Sequence, residues 1–213
     1  MLDRAGAALI RPAVNALARV LAARGVSADA LSVAGLALGW TAALAIAGRA
    51  SALGAVLILV SRLCDALDGA VARLTQPTDR GGFLDISLDF LVYAAIPLAF
   101  ALADPIANAL AAAVLLACFI GTGTSFLALA VLAAKRGLTS THYPLKSFYF
   151  IGGLTEATET IGVFVAMCLW PAHFAALAYG FAALCAVTIV TRLRQGWLLL
   201  SPGTAAPDAV DPS

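Results

Sequence analysis

The sequence predicts an all-α, polytopic membrane protein, with six transmembrane helices preceded by an N-terminal amphipathic interfacial helix. Three observations carry that expectation. Of 213 residues, 62% are hydrophobic and 12% charged, with a mean hydropathy of +0.96, far too little polar surface to cover a water-soluble globule. Apolar runs of about 20 residues, the length a helix needs to cross the hydrocarbon core, recur along the chain. The lysines and arginines gather in alternate connections between those runs. A net charge of +1, with no basic patch interleaved with aromatics, gives no reason to expect nucleic acid.

The first element, Asp3 to Arg24, repeats apolar residues at helical spacing (Leu9, Ile10, Ala13, Val14, Leu17, Val20, Leu21), while Arg4, Arg11, Asn15 and Arg19 take other positions. That pattern suits a helix lying in the headgroup region. Arginine interrupts it too often for the core of a secretory signal, although a mitochondrial targeting peptide has a similar composition. Gly25 ends this helix, and Ser27 and Asp29 offer caps for the next. The spans follow as Leu31 to Gly48, Ala52 to Leu74, Gly82 to Ala103 stopped by Asp104-Pro105, Ile106 to Ala134, Phe148 to Trp170 and Phe174 to Leu193. Residues 1–195 read as one membrane domain, 3–24 the interfacial helix and 29–195 the bundle, and 196–213 as a disordered tail. Cys64, Cys118, Cys168 and Cys185 each sit in an apolar run without metal-ligand spacing and read as packing thiols.

Six spans put both termini on one side. Arg4, Arg11, Arg19, Arg24, Arg73, Arg80, Lys135, Arg136, Lys146, Arg192 and Arg194 fall on that side and Arg49 on the other, which places both termini in the cytosol, at the inner membrane if the source is bacterial.

Inside this apolar chain, four carboxylates form two short clusters. Asp65 and Asp68 are three residues apart, and Asp85 and Asp89 four apart, so each pair projects from one helix face. The turn-prone Thr75-Gln-Pro-Thr-Asp-Arg-Gly81 between them folds the two helices back on each other. Four acids aimed at one space repel unless cations sit between them, and an all-oxygen site suits Mg²⁺ or Mn²⁺. Gly69 and Ala72 have almost no side chain, which lets a ligand approach the helix backbone, and Arg73 can pair with phosphate oxygens or anchor the span at the interface. Gly81 and Gly82 equally read as the end of the turn, and Asp79 and Arg80 as a solvated loop.

Written out, the stretch Asp65 to Asp89 is DxxDGxxAR, seven residues, GxxxDxxxD, and it resembles the defining motif of the CDP-alcohol phosphotransferases, integral membrane enzymes of phospholipid synthesis. Val26 to Ser32 extends the likeness, with Asp29 and Ser32 where relatives often have Asn and Thr. The resemblance implies transfer of a phosphatidyl group from a CDP-linked lipid, CDP-diacylglycerol, to a small alcohol or phospho-alcohol, releasing CMP. It implies that Asp65, Asp68, Asp85 and Asp89 hold two Mg²⁺ or Mn²⁺ ions, that Asp89 is the general base, and that Gly69, Ala72, Arg73 and Gly81 contact the CDP part. Homodimers are usual in the family.

Two further features lie outside the motif. Arg62 matches the depth of Glu156 and Glu159, so an ion pair with one of them is expected, with an acceptor-facing role for the glutamates as the alternative. Lys135, Arg136, His142 and Lys146 lie on the aspartate side and suit a phosphorylated acceptor or anionic headgroups. The rival classes are an ion-coupled transporter, which would spread its acids through the membrane depth, and an inactive scaffold.

Overall fold

The computed structural model describes residues 2–136, 155 and 157–201, with side chains from residue 11 onward. Among the described residues it is all-helical, apart from one 3₁₀ turn at Pro171–His173. The helices are α1 (Leu2–Ala23), α2 (Ala28–Ala47), α3 (Ser51–Leu74), α4 (Asp79–Ala103), α5 (Pro105–Lys135), α6 (Ala157–Leu169) and α7 (Phe174–Leu200).

Local chemistry sets these boundaries. Gly25 adopts φ 77° after α1, a left-handed turn that glycine makes without steric cost. The Ser27 hydroxyl then accepts from the Ala30 N–H at 3.2 Å and caps α2. Thr78 does the same for α4, accepting from Gly81 N–H at 3.0 Å. Asp104 ends α4 and caps α5 through Ala107 N–H at 3.1 Å, with Pro105 in the first turn of α5, where its missing N–H costs nothing. Arg49, at φ 65° in the α2–α3 turn, reaches the far end of α4 and donates twice to the Ala103 carbonyl, at 3.1 and 3.2 Å.

The helix that the sequence reading ends near Gly196 continues to Leu200. Gly196 faces Leu129 of α5, Trp197 to Leu200 are apolar, and Arg136 donates to the terminal carbonyls of Leu199 and Leu200 at 3.3 and 2.8 Å. Those contacts keep the chain helical over five residues assigned to the tail, and the remainder beyond Ser201 lies outside the described residues.

α2 packs against α3 and α4, α4 against α5, α5 against α7, and α3 against α6. The apolar core lies toward the end where α2 finishes and α3 begins: Ile46, Ile58, Ile96, Leu115, Phe164 and Phe181 are buried there, and Phe100 stacks on Phe174 with ring centres 4.5 Å apart. Outward-facing side chains such as Leu44, Leu59, Leu102, Leu110 and Val190 are large and apolar, the surface an integral membrane protein presents to lipid. Ala28–Ala47, Asp79–Ala103, Pro105–Lys135 and Pro171–Leu200 are long and apolar enough to cross a bilayer. α3 is as long, at 24 residues, but carries Arg62, Asp65, Asp68 and Arg73, and α6 is described over 13 residues, the start of the expected fifth span lying outside the described residues.

α1 is not a free-standing helix. Val14 and Ala18 are buried against Leu67, Ala70 and Val71 of α3, while Arg11, Leu17, Arg19 and Val20 face outward. Arg192 is buried as well: its guanidinium donates to the Thr122 carbonyl at 2.8 Å and lies 5.6 Å from the Phe126 ring centre, tying α7 to α5.

One tight interhelical approach near the polar end is at Gly39 of α2. A Cβ there would lie 2.6 and 2.8 Å from the two Val92 methyls of α4 and 3.3 Å from Ser61 Oγ of α3. Valine is stiff at χ1 and cannot swing away. Gly39→Ala is therefore expected to destabilise the protein by about 1–3 kcal/mol, and Val92→Ala in the same chain to recover part of that. Thermal unfolding in detergent reads both, and an unchanged melting temperature in Gly39→Ala would show that the helices are not in this contact.

Candidate functional site

The polar end of the bundle begins where three helices carry small or hydroxylic residues at their crossing. Gly35 and Gly39 of α2 are buried, and Ser61 of α3 donates to the Gly35 carbonyl at 2.7 Å, which brings the α2 and α3 backbones together without leaving the hydroxyl unsatisfied. One turn further along α3 the aspartates start. Asp65 and Asp68 of α3 and Asp85 of α4 each contribute a carboxylate oxygen to a group whose oxygens all lie within 4.8 Å of one another.

Burial differs within that group. Asp68 is 5% exposed and accepts from the Ser32 hydroxyl of α2 at 2.6 Å, whereas Asp65 is half-buried and Asp85 exposed. At separations near 4 Å, two carboxylates in a partly screened environment repel by roughly 4 kcal/mol, so gathering three of them favours a cation among them. The group passes a geometric test for a hard divalent ion. Oxygens on opposite sides of such an ion at 2.0–2.6 Å are about 4–5 Å apart, so a spread of at most 4.8 Å needs little side-chain adjustment.

Asp89 stands beside this group and not in it. One turn deeper on α4, its Oδ1 accepts from the Arg62 guanidinium, which also lies 3.7 Å from Asp65 Oδ1. Asp89 nevertheless lines the same small pocket as Asp65, Asp68, Asp85 and Arg62. Asp89 is thus the near carboxylate partner of Arg62 among the described residues, a pairing not foreseen from the sequence. The reason is register: Arg62 is one turn before Asp65 on α3, Asp89 one turn after Asp85 on α4, and antiparallel packing sets the two at one depth. Glu156 lies outside the described residues, as do His142 and Lys146, while Glu159 is half-buried near the start of α6.

A second, larger pocket of about 570 Å³ adjoins the acids and shares Ser32, Asp68 and Asp85 with them. Gly69, Ala72 and Arg73 of α3 and Gly81 of α4 all line it, and its size lies in the range of small-molecule sites. Arg80, read from sequence as a solvated loop residue, is in the first turn of α4 and pairs with Asp29 of α2 across the same pocket. A Cβ at Gly81 would lie 3.2 Å from Thr78 Oγ1 and 3.7 Å from the Asp29 carboxylate, so the tighter demand for a small residue comes from the Thr78 cap. Ser32, Asp29 and Arg80 are the site residues that the sequence reading did not assign. The hydroxyl of Ser32, at a position where relatives often have the hydroxyl of Thr, was the available signal for the first; the 51-residue separation hid the pairing of the other two.

The chain resembles known proteins over most of its length. The sequence profile of the CDP-alcohol phosphatidyltransferases matches residues 25–193. The inner membrane protein YnjF of Escherichia coli (strain K12) is 52% identical over 202 residues, covering 94% of this chain and 97% of that protein. Among solved structures, the Mycobacterium tuberculosis phosphatidylinositol phosphate synthase PgsA1 with CDP-DAG bound superposes with a TM-score of 0.64 at 22% identity, covering 92% of this chain and 98% of the other. The same synthase in complex with manganese and citrate gives a TM-score of 0.64 at 22% identity, with 92% and 93% covered. At that identity the likeness to PgsA1 is one of fold.

Gly69 and Gly39 make opposite demands. A Cβ at Gly69 would meet only the flexible end of Arg73, at 3.4 Å, so nothing in the packing of the chain requires glycine mid-helix. Gly69→Ala is expected to leave the melting temperature unchanged or to raise it, by up to about 1 kcal/mol of helix propensity. A loss as large as that of Gly39→Ala would show that Gly69 serves packing and not the pocket.

Proposed function

Because the chain belongs to the CDP-alcohol phosphatidyltransferase family, we propose that it transfers a phosphatidyl group from a CDP-linked lipid, CDP-diacylglycerol, to a small polar alcohol and releases CMP. The observation that carries this reading is the junction of two sites: Asp68 and Asp85 line both a compact acidic pocket, which also holds Asp65, and a groove lined by Gly69, Ala72, Arg73 and Gly81. A nucleotide seated in that groove has its pyrophosphate at the acids.

Each residue then has a task. Gly69 and Ala72 leave the α3 backbone bare on the groove side, where the nucleoside lies against it. Arg73, exposed at the groove wall, donates its planar pair of N–H groups to phosphate oxygens. Gly81 keeps the opposite wall open at the start of α4. Asp65, Asp68 and Asp85, with Asp89 beside them, hold two Mg²⁺ or Mn²⁺ ions, which when bound supply charge stabilisation for the attacking and leaving oxygens. The Ser32 hydroxyl orients the Asp68 carboxylate for that purpose. In the transfer, the acceptor hydroxyl oxygen forms a bond to the phosphorus that carries the diacylglycerol. The bond from that phosphorus to the bridging oxygen breaks, CMP departs with its electron pair, and the hydroxyl proton passes to Asp89.

The same reading gives six spans with both termini in the cytosol. α3 crosses despite its charges because Arg62, Asp65 and Asp68 face α2 and α4 instead of lipid, and α6 is the end of the fifth span. α1, with Arg11 and Arg19 beside outward Leu17 and Val20, is the interfacial helix, docked on α3 where the groove opens. The acyl chains of the donor stay in the bilayer while its nucleotide reaches the groove from the cytosolic face.

Purified protein given CDP-diacylglycerol, Mn²⁺ and a panel of alcohols is expected to release CMP with one acceptor class and to stop when the metal is chelated. Asp68→Asn and Asp85→Asn are expected to lower turnover at least 1,000-fold in folded protein, and Gly69→Ala to lower it without loss of stability. Undiminished CMP release in either aspartate variant would rule out the metal assignment.

A further inference from the structure

Arg62 lies outside the motif that defines the family, and the transfer as drawn leaves it without a task. An arginine inside a helical bundle is expensive to bury, yet this side chain is 10% exposed. Its surroundings are built to hold it. Its guanidinium donates to Asp89 Oδ1, reaches Ser61 Oγ at 3.3 Å and stands 5.6 Å from the centre of the Tyr93 ring. Ser61 is itself pinned to the Gly35 carbonyl at 2.7 Å, and Tyr93 follows Asp89 by one turn on α4. The guanidinium is therefore braced by α2 through Ser61 and by α4 through Tyr93, and it grips the one motif carboxylate that stands apart from the 4.8 Å group.

Resting on the function proposed above, we infer that Arg62 is a positioning residue that fixes the orientation of the Asp89 carboxylate. With Oδ1 committed to the guanidinium, the second oxygen of Asp89 is the one presented to the acceptor hydroxyl. Arg62 does not line the groove of Gly69, Ala72, Arg73 and Gly81, so it acts on turnover and not on donor affinity.

The test is a double-mutant cycle on full-length protein in detergent, with Mn²⁺ uptake followed by electron paramagnetic resonance beside CMP release. Arg62→Gln is expected to lower kcat about 100-fold, the cost of a misplaced reacting group, with the KM for CDP-diacylglycerol within about threefold of wild type. Its Mn²⁺ uptake is expected to be no weaker than wild type, because a positive charge near the acids has been removed. Arg62→Lys, whose ammonium reaches one carboxylate oxygen, is expected to recover part of the turnover. Arg62→Gln/Asp89→Asn, which leaves no buried charge unpaired and keeps the test open if the single variant fails to fold, is expected to be no slower than Asp89→Asn alone. Additive losses in the double variant, a raised donor KM, or weakened Mn²⁺ uptake in Arg62→Gln would each overturn the positioning role. Failure of wild-type protein to release CMP with any acceptor would instead overturn the proposed reaction, and the positioning role with it.

Discussion

Bringing like charges together inside an apolar helical bundle is the constraint on which the rest of this structure depends. Three carboxylates within 4.8 Å of one another repel, and the chain offsets that repulsion with neighbours chosen for the purpose. The Ser32 hydroxyl serves the most buried acid, Asp68, and Arg62 takes Asp89 and stands near Asp65. Small residues on α2 make this possible. Gly35 and Gly39 let α3 and α4 approach so closely that the acids of two helices share one space. The aromatic and aliphatic core is set at the opposite end, where Phe100, Phe164 and Phe174 fill the bundle. One end of the molecule is packed for stability, and the other is held open and charged.

That division explains why the compact acidic pocket and the larger groove lie side by side. Both open where α2 begins, α3 ends and α4 begins, so the caps that start and stop these helices also shape the walls. Ser27 and Thr78 are N-caps and groove residues at once, and Gly81 lines the groove while donating its N–H to the Thr78 cap. A change in either cap would move the groove as well as the helix.

Much of the site was legible before any coordinates. Spacings of three and four residues put Asp65 with Asp68 and Asp85 with Asp89 on single faces, and a short polar turn forced the two faces together. Gly25, Ser27 and Asp104-Pro105 marked helix ends that the structure keeps. What could not be read was the register of one helix against another. Depth along α3, counted from its own end, points Arg62 at the glutamates of the fifth span, whereas the packing of α3 on α4 brings Asp89 to it. Pairs distant in sequence, such as Asp29 with Arg80, share the same obscurity. α7 runs past the expected start of the tail at Gly196 because Leu129 packs against that glycine and Arg136 meets the carbonyls beyond.

The central claim is that Asp65, Asp68 and Asp85, drawn from two helices, gather a divalent cation. The most direct measurement is an anomalous difference map from crystals grown in Mn²⁺. The account predicts a peak bounded by these three carboxylates, with oxygens about 2.0–2.6 Å from it. Ordered carboxylates with no peak between them, or manganese bound only elsewhere on the chain, would contradict it.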